Sequence, residues 1–427
     1  MSLEQVEPFG ATRVAAGMGG LPAARVGESE GALAASYAKV RALSTALAAP
    51  LSDADATIQS MPDASPAKWH LAHTAWFFET FVLRDHQPGY RLFSDEWPFL
   101  FNSYYEAEGP RHARLDRGLL SRPSLDEVMA YRAHVDAAMA PMAERNDLAE
   151  LIALGLAHEQ QHQELLLTDI LHAFSRNPLG PIYGRPGTRR PAASPPAWHE
   201  HPGGVVMIGH DGTDFAFDNE GPAHRVLLQP FALAPMLITN AEWTEFIADG
   251  GYRKPALWLS DGWAWVQRER VEAPLYWRDH AQFTLAGWQP RDPAAPVSHI
   301  SYYEADAFAS WADARLPTEF EWEAVAQGEH SGLSCQLDAA GAVRPIGSHS
   351  LFGDCWQWTR SAYLPYPRFR TAKGAVGEYN GKFMSGQFVL RGASCATPRG
   401  SSRATYRNFF YPQQRWQFTG LRLARDL

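Results

Sequence analysis

Four stretches in the first 176 residues repeat apolar positions at helical spacing. "SYAKVRALSTALAAPLS" predicts a first amphipathic helix that ends at Pro50. "SPAKWHLAHTAWFFETFVLRDH" predicts a second, with Ser65 as its N-cap and Pro66 in its first turn. "SLDEVMAYRAHVDAAM" predicts a third, opened by a capping box of Ser124 and Glu127. "DLAELIALGLAHEQQHQELLLTDILHAF" predicts a fourth, long and apolar on one side. With a long connection between the second and third, these predict a four-helix bundle over 34–176. Residues 1–33 are rich in Ala and Gly without a sustained apolar period, and predict a mobile tail.

The pattern changes at "NPLGPIYGRPGTRRPAASPPAWHEHPGG", residues 177–204, whose Pro and Gly content predicts a linker with little helix or strand. Over 205–427 the runs shorten. "GGVVMIGHD", "HRVLLQPFALAP" and "FVLRGASC" are strand-like segments between turn residues. Two helices are predicted among them, "TNAEWTEFIAD" and "SYYEADAFASWADA". Helices embedded in many short strands predict an irregular α+β domain. A chain of 427 residues is more than one core usually serves, so two domains are expected.

Composition narrows the function. The net charge of -9 argues against non-specific nucleic-acid binding and against a basic membrane-binding patch. The longest apolar runs are too short to span a bilayer. The opening "MSLEQVEPFG" lacks the basic-then-apolar order of a secretion signal. Cys335, Cys355 and Cys395 are odd in number and unlike a zinc motif in spacing, which predicts free thiols in a reducing cytoplasm.

The fourth helix carries candidate chemistry in "AHEQQHQELLLTDI". His158 and His162, four residues apart, share a face and form a chelating pair, as in H-E-x-x-H zinc helices. Glu164 lies roughly 200° further round at about 100° per residue, which excludes it from a metal shared with both. A third ligand could come from His70 or His73 of "WHLAH" in the second helix. Three neutral imidazoles with open positions suit zinc or ferrous iron. The bland alternative is a set of satisfied core histidines.

"MPDASPAKWHLAHTAWFFETFVL", "FNSYYEAEGPRH" and "HEQQHQELLLTDI" resemble the DinB-like domain of the ergothioneine-biosynthetic sulfoxide synthases, a family that includes selenoneine synthases. "GGVVMIGHDGTDFAFDNEGPAHRV", "PVSHISYYEADAFASWADARLPTEFEWEAVA" and "VLRGASCATPRGSSRATYRNFFYPQQRWQFTGLRLARD" are similar to the domain of formylglycine-generating enzymes and sulfatase-modifying factors, a variant C-type-lectin fold. The resemblance covers residue 34 to the C-terminus. It implies Fe(II) held by His73, His158 and His162, O2 as co-substrate, and hercynine as the acceptor of a chalcogen at its imidazole C2. It implies substrate contacts by Gln161, Asn408, Phe409, Phe410, Gln414 and Trp416, with the "NFF" segment receiving the trimethylammonium group. Aromatic faces suit such a cation. The catalytic phenol would be Tyr104 or Tyr105 of "NSYYE", with Tyr379 of "GEYNGKF" as a more loosely spaced candidate.

Several positions depart from the sulfur-inserting pattern. "GDCWQWT" brings Cys355 and Gln357, "GASC" brings Ala393, and "KFMSGQFVL" brings Ser385 and Gly386. "RGSSRATYRN" and "YPQQRW" bring Ser401, Ser402, Gln413 and Gln414. Where the γ-glutamylcysteine-using branch has an aspartate and an arginine, this chain has Phe410 and Gln414. A dicarboxylate donor would lose its charge-assisted contacts there. Neutral Gln and Ser suit a sugar, so the reading preferred is C–Se bond formation from a selenosugar, with C–S bond formation from cysteine as its alternative. A zinc-dependent DinB-type thiol transferase leaves the second domain without a role. A lectin-like binding module leaves the histidines without one, and formylglycine generation needs a cysteine pattern that Cys355 and Cys395 do not form.

Overall fold

The computed structural model describes residues 31–185, 197–329, 334–371 and 380–427. Helices α1 (Ala32–Ala48), α3 (Ala67–Phe78), α5 (Leu125–Met142) and α6 (Ala149–Ser175) form the predicted bundle. Two short helices, α2 (Asp53–Thr57) and α4 (Trp97–Phe101), lie in the connections. The α6 helix packs on α1 and α3, and α3 packs on α5. The Ser124–Glu127 capping box forms as expected. Ser65 does not cap α3. Pro66 takes the N-cap position, and the Ser65 N–H donates to the Asp169 Oδ2 of α6 at 2.8 Å instead. Beyond Phe78 the second helix continues as a π-turn, Glu79–Arg84. Its buried Glu79 accepts from Tyr131 Oη at 2.6 Å, Tyr90 Oη at 2.8 Å and the Phe93 N–H at 2.9 Å.

Gly155 in the middle of α6 costs helix propensity, about 1 kcal/mol against alanine. It is needed because α6 meets α3 there: a Cβ would stand 2.6 Å from Phe78 Cε1 and 2.8 Å from Phe77 Cε1. We expect Gly155→Ala to destabilise the protein by about 1–2 kcal/mol in chemical denaturation, since overpacking outweighs the propensity gain. Stabilisation would show that the two aromatic rings move aside freely.

The C-terminal unit is the expected irregular α+β domain. Its strands are β1 (His199–His201), β2 (Gly204–Ile208), β3 (His224–Leu228), β4 (Phe231–Leu233), β5 (Trp277–Arg278), β6 (Ala281–Thr284) and β7 (Gly287–Pro290). They continue with β8 (Trp356–Ala362), β9 (Phe388–Arg391), β10 (Asn408–Phe410), β11 (Thr419–Gly420) and β12 (Ala424–Asp426). Among the described residues they make small sheets, β1-β4-β12, β10-β9-β8-β11, β2-β3 and β5-β6-β7. Helices α7 (Asn240–Ala248) and α9 (Tyr302–Trp311) match the two predicted. Two more, α8 (Ser260–Glu269) and α10 (Glu319–Ala326), were not predicted. A Thr318–Glu321 capping box marks the start of α10.

The segment predicted as a linker, 177–204, is not structureless. Strand β1 lies within it and pairs with β4, β2 begins at Gly204, and the buried Tyr183 donates from Oη to Leu47 O at 2.6 Å. Its residues 186–196, and residues 1–30 of the predicted tail, lie outside the described residues. One hydrophobic core crosses the junction, joining Trp76, Leu167 and Phe174 of the bundle to Tyr276, Phe283, Leu337 and Phe418. No helix among the described residues is long and apolar enough to cross a membrane.

Candidate active site

Helices α3 and α6 bring His73, His158 and His162 together, with one ring nitrogen from each lying within 4.8 Å of the others. His73 and His158 are buried and His162 is half-buried. The bundle core fixes their rings. His73 is stacked between Trp69 and Trp76, at centroid distances of 4.5 and 5.4 Å. His158 lies against Phe77 at 5.1 Å. His73 Nδ1 is 2.6 Å from the Phe101 carbonyl, so this nitrogen carries the proton. Nε2 then presents a lone pair, and it is buried without a hydrogen-bond partner among the described residues. Burial pushes the His158 imidazole down to about 4. Burial, then the neighbouring His158, hold His73 and His162 well below the ordinary histidine value. Three neutral imidazoles around one point are the donor set a divalent metal requires.

Spacing left open whether His70 or His73 joins the pair, and it is His73 whose ring nitrogen lies beside those of His158 and His162. His70 lies behind His162, with its Nδ1 2.8 Å from His162 Nδ1 and its Nε2 3.0 Å from Asp169 Oδ2. Glu164 points away from the cluster, as expected. Its carboxylate accepts from Trp356 Nε1 at 2.8 Å, Thr397 Oγ1 at 2.7 Å and Ser394 Oγ, all in the C-terminal domain.

Gln161, half-buried beside the histidines on α6, donates from Nε2 to Tyr406 Oη at 2.6 Å. Tyr406 was not expected from the sequence, although it stands two residues before the "NFF" segment. That segment is strand β10, so its side chains alternate: Asn408 and Phe410 share one face and Phe409 takes the other. Phe410 lies 6.1 Å from Trp416, whose Nε1 donates to Asp169 Oδ1 at 3.2 Å. Phe409 stacks on Tyr363 at 4.1 Å. The Tyr105 ring is buried 5.5 Å from Trp76, and Tyr104 stacks on it at 5.0 Å while facing Phe383 at 5.4 Å. Tyr379 lies outside the described residues.

Some departures are engaged within the C-terminal domain itself. Gln357 is fully buried, accepts from Trp322 Nε1 at 2.8 Å and Arg422 Nε at 3.1 Å, and donates to Leu351 O at 2.6 Å. It is a structural group. Gln414 is half-exposed and accepts the Tyr411 N–H at 3.0 Å, closing its own turn. Ala393 takes a φ of 70°, the left-handed region that favours glycine, at a cost of about 1 kcal/mol.

Comparison with known proteins places both halves. Residues 36–166 match the DinB superfamily, and residues 188–344 and 342–427 match the sulfatase-modifying factor enzyme 1-like domain. A hercynine oxygenase from Mycolicibacterium smegmatis is 33% identical over 418 residues, covering 88% of this chain and 94% of that protein. One from Mycobacterium tuberculosis is 32% identical over 406 residues, with the same 88% and 94% coverage. A formylglycine-generating enzyme from Thermomonospora curvata is 33% identical over 177 residues, 37% of this chain and 56% of its own. A DinB bundle joined to a sulfatase-modifying-factor domain defines a two-module enzyme. The chain belongs to the hercynine oxygenase family.

Proposed function

We propose that this chain is an Fe(II)- and O2-dependent oxygenase acting on hercynine, which it joins at imidazole C2 to a chalcogen donor. The observation that carries this reading is the convergence of His73, His158 and His162, bordered by a glutamine on the same helix. The three histidines would hold iron, which when bound supplies the dioxygen chemistry. Gln161 uses its amide nitrogen on Tyr406, which leaves Oε1 to accept an N–H from the substrate imidazole. Burial raises the Tyr406 phenol, so it stays protonated and keeps that amide oriented. Phe410 and Trp416 offer aromatic surface to the trimethylammonium group. Tyr105, one ring beyond Trp76 from His73, or Tyr104 stacked on it would deliver a proton from Oη.

For the donor we propose a selenosugar. Phe410 and Gln414 bring no charge to the positions that would grip a peptide's carboxylates, and neutral partners suit hydroxyls. Gln357 no longer supports that choice, since its hydrogen bonds are all internal. The test is turnover with anaerobically loaded iron, O2 and hercynine against selenosugar, cysteine and γ-glutamylcysteine, with products read by mass spectrometry. A selenium-containing hercynine adduct is the expected result. Turnover with cysteine and none with the selenosugar would overturn the donor. Zinc retention with no O2 uptake would overturn the oxygenase.

A further inference from the structure

His70 is a buried histidine that the three-histidine cluster does not use. Its two ring nitrogens are both engaged, Nδ1 with His162 Nδ1 at 2.8 Å and Nε2 with Asp169 Oδ2 at 3.0 Å. The direction of each bond follows from Asp169. That carboxylate already takes the Ser65 N–H at 2.8 Å and the Trp416 Nε1–H at 3.2 Å, so it is an acceptor on every edge. His70 therefore donates its Nε2–H to Asp169. A neutral imidazole that donates from Nε2 accepts at Nδ1. His162 must then carry its proton on Nδ1 and give it to His70, which leaves His162 Nε2 as a bare lone pair.

We infer that His70 and Asp169 are positioning residues that lock His162 in the Nδ1–H form, with Nε2 preset for the metal. This rests on the metal reading of the three-histidine cluster. The lock matters because an unconstrained imidazole favours the opposite form, with Nε2 protonated and unable to ligate. His73 reaches the same state by a different device, the Phe101 carbonyl at 2.6 Å. Asp169 also holds Trp416 of the C-terminal domain, so one carboxylate sets the register of both a ligand and an aromatic wall.

The full-length apo protein, labelled with 15N only at histidine, reports the proton positions directly in two-bond 1H–15N spectra. The His162 signals are assigned by their loss in His162→Gln. In the wild type His162 is expected as the Nδ1–H form and His70 as the Nε2–H form. His70→Leu is expected to move His162 towards Nε2–H and to weaken Co(II) and anaerobic Fe(II) binding by about 10–100-fold. His70→Asn places a carbonyl oxygen near the lost Nδ1 and should restore the Nδ1–H form and most of the affinity. A merely structural His70 would lower thermal stability without moving either readout. A wild-type His162 protonated on Nε2 would overturn the inference, and so would a His70→Leu protein with unchanged form and affinity. Should His70→Leu fail to fold, the wild-type spectrum alone decides. Failure of the wild type to bind either metal would instead count against the metal reading, since proton positions are read without metal.

Discussion

Replacing His158 by alanine is expected to abolish the proposed iron binding and product formation together. His158 is one corner of a near-equilateral cluster, with its ring 4.9 Å from that of His73 and 4.6 Å from that of His162, which are 4.8 Å from each other. Two imidazoles that remain on facing helices form an incomplete set. Residues that merely support a metal ligand are worth about 10–100-fold, so loss of a ligand itself should exceed a hundredfold. The fold should survive, because the buried hydrogen bonds beside His158 run from Arg41, Arg132 and Ser44 to Glu159, which the substitution leaves in place. Iron per chain after anaerobic loading and desalting, O2 uptake with hercynine, and far-UV circular dichroism would be measured on the same sample. A variant that keeps one iron per chain and turns over would remove His158 from the site.

The next residue carries the second large effect, on stability. Glu159 is buried and accepts from Arg41 at 2.9 Å, Arg132 at 2.8 Å and the Ser44 hydroxyl at 2.5 Å. Burial alone would raise its carboxyl, but the Arg41 and Arg132 guanidiniums and the Ser44 bond outweigh it and hold it at about 2. Glu159→Gln takes the carboxylate partner from buried Arg132 and leaves buried Arg41 with Asp136 alone, and a cost of about 3–5 kcal/mol is expected. Because the folded value lies below the ordinary 4.5, the stabilisation is complete above that pH and is lost as pH falls from about 4.5 towards about 2. Urea unfolding across that range should show wild type and Glu159→Gln converging as the solution is acidified. A constant difference would mean that the carboxylate charge is not the source of the effect.

Much of this was readable from spacing. Helical periodicity located the bundle, and the i, i+4 interval alone made His158 and His162 a pair and turned Glu164 away. Spacing could not say which of His70 and His73 faces that pair. On one helix three residues apart they are neighbours, and only packing against α6 and the Phe101 carbonyl decides between them. The departures in the C-terminal domain were the least legible. Gln357 reads as a change in a pocket, yet its environment is Trp322, Arg422 and a backbone carbonyl. A three-residue run such as "NFF" reads as one patch, whereas strand alternation sends Phe409 to the far side. Asp169 and Tyr406 carried no local signal, because their partners lie 247 and 245 residues away in the chain.

Helix α6 also limits how such enzymes can be recombined. Within twelve residues it presents two histidines to its own bundle and three polar side chains, Gln161, Glu164 and Asp169, to Tyr406, to Trp356, Ser394 and Thr397, and to Trp416 of the other domain. A foreign C-terminal domain grafted onto this bundle would have to reproduce those partners, or leave the buried Glu164 carboxylate without its three donors and Asp169 with its bonds to Ser65 and His70 alone. The natural unit of exchange is therefore larger than a domain. It is the bundle together with the strand and loops that clasp one helix.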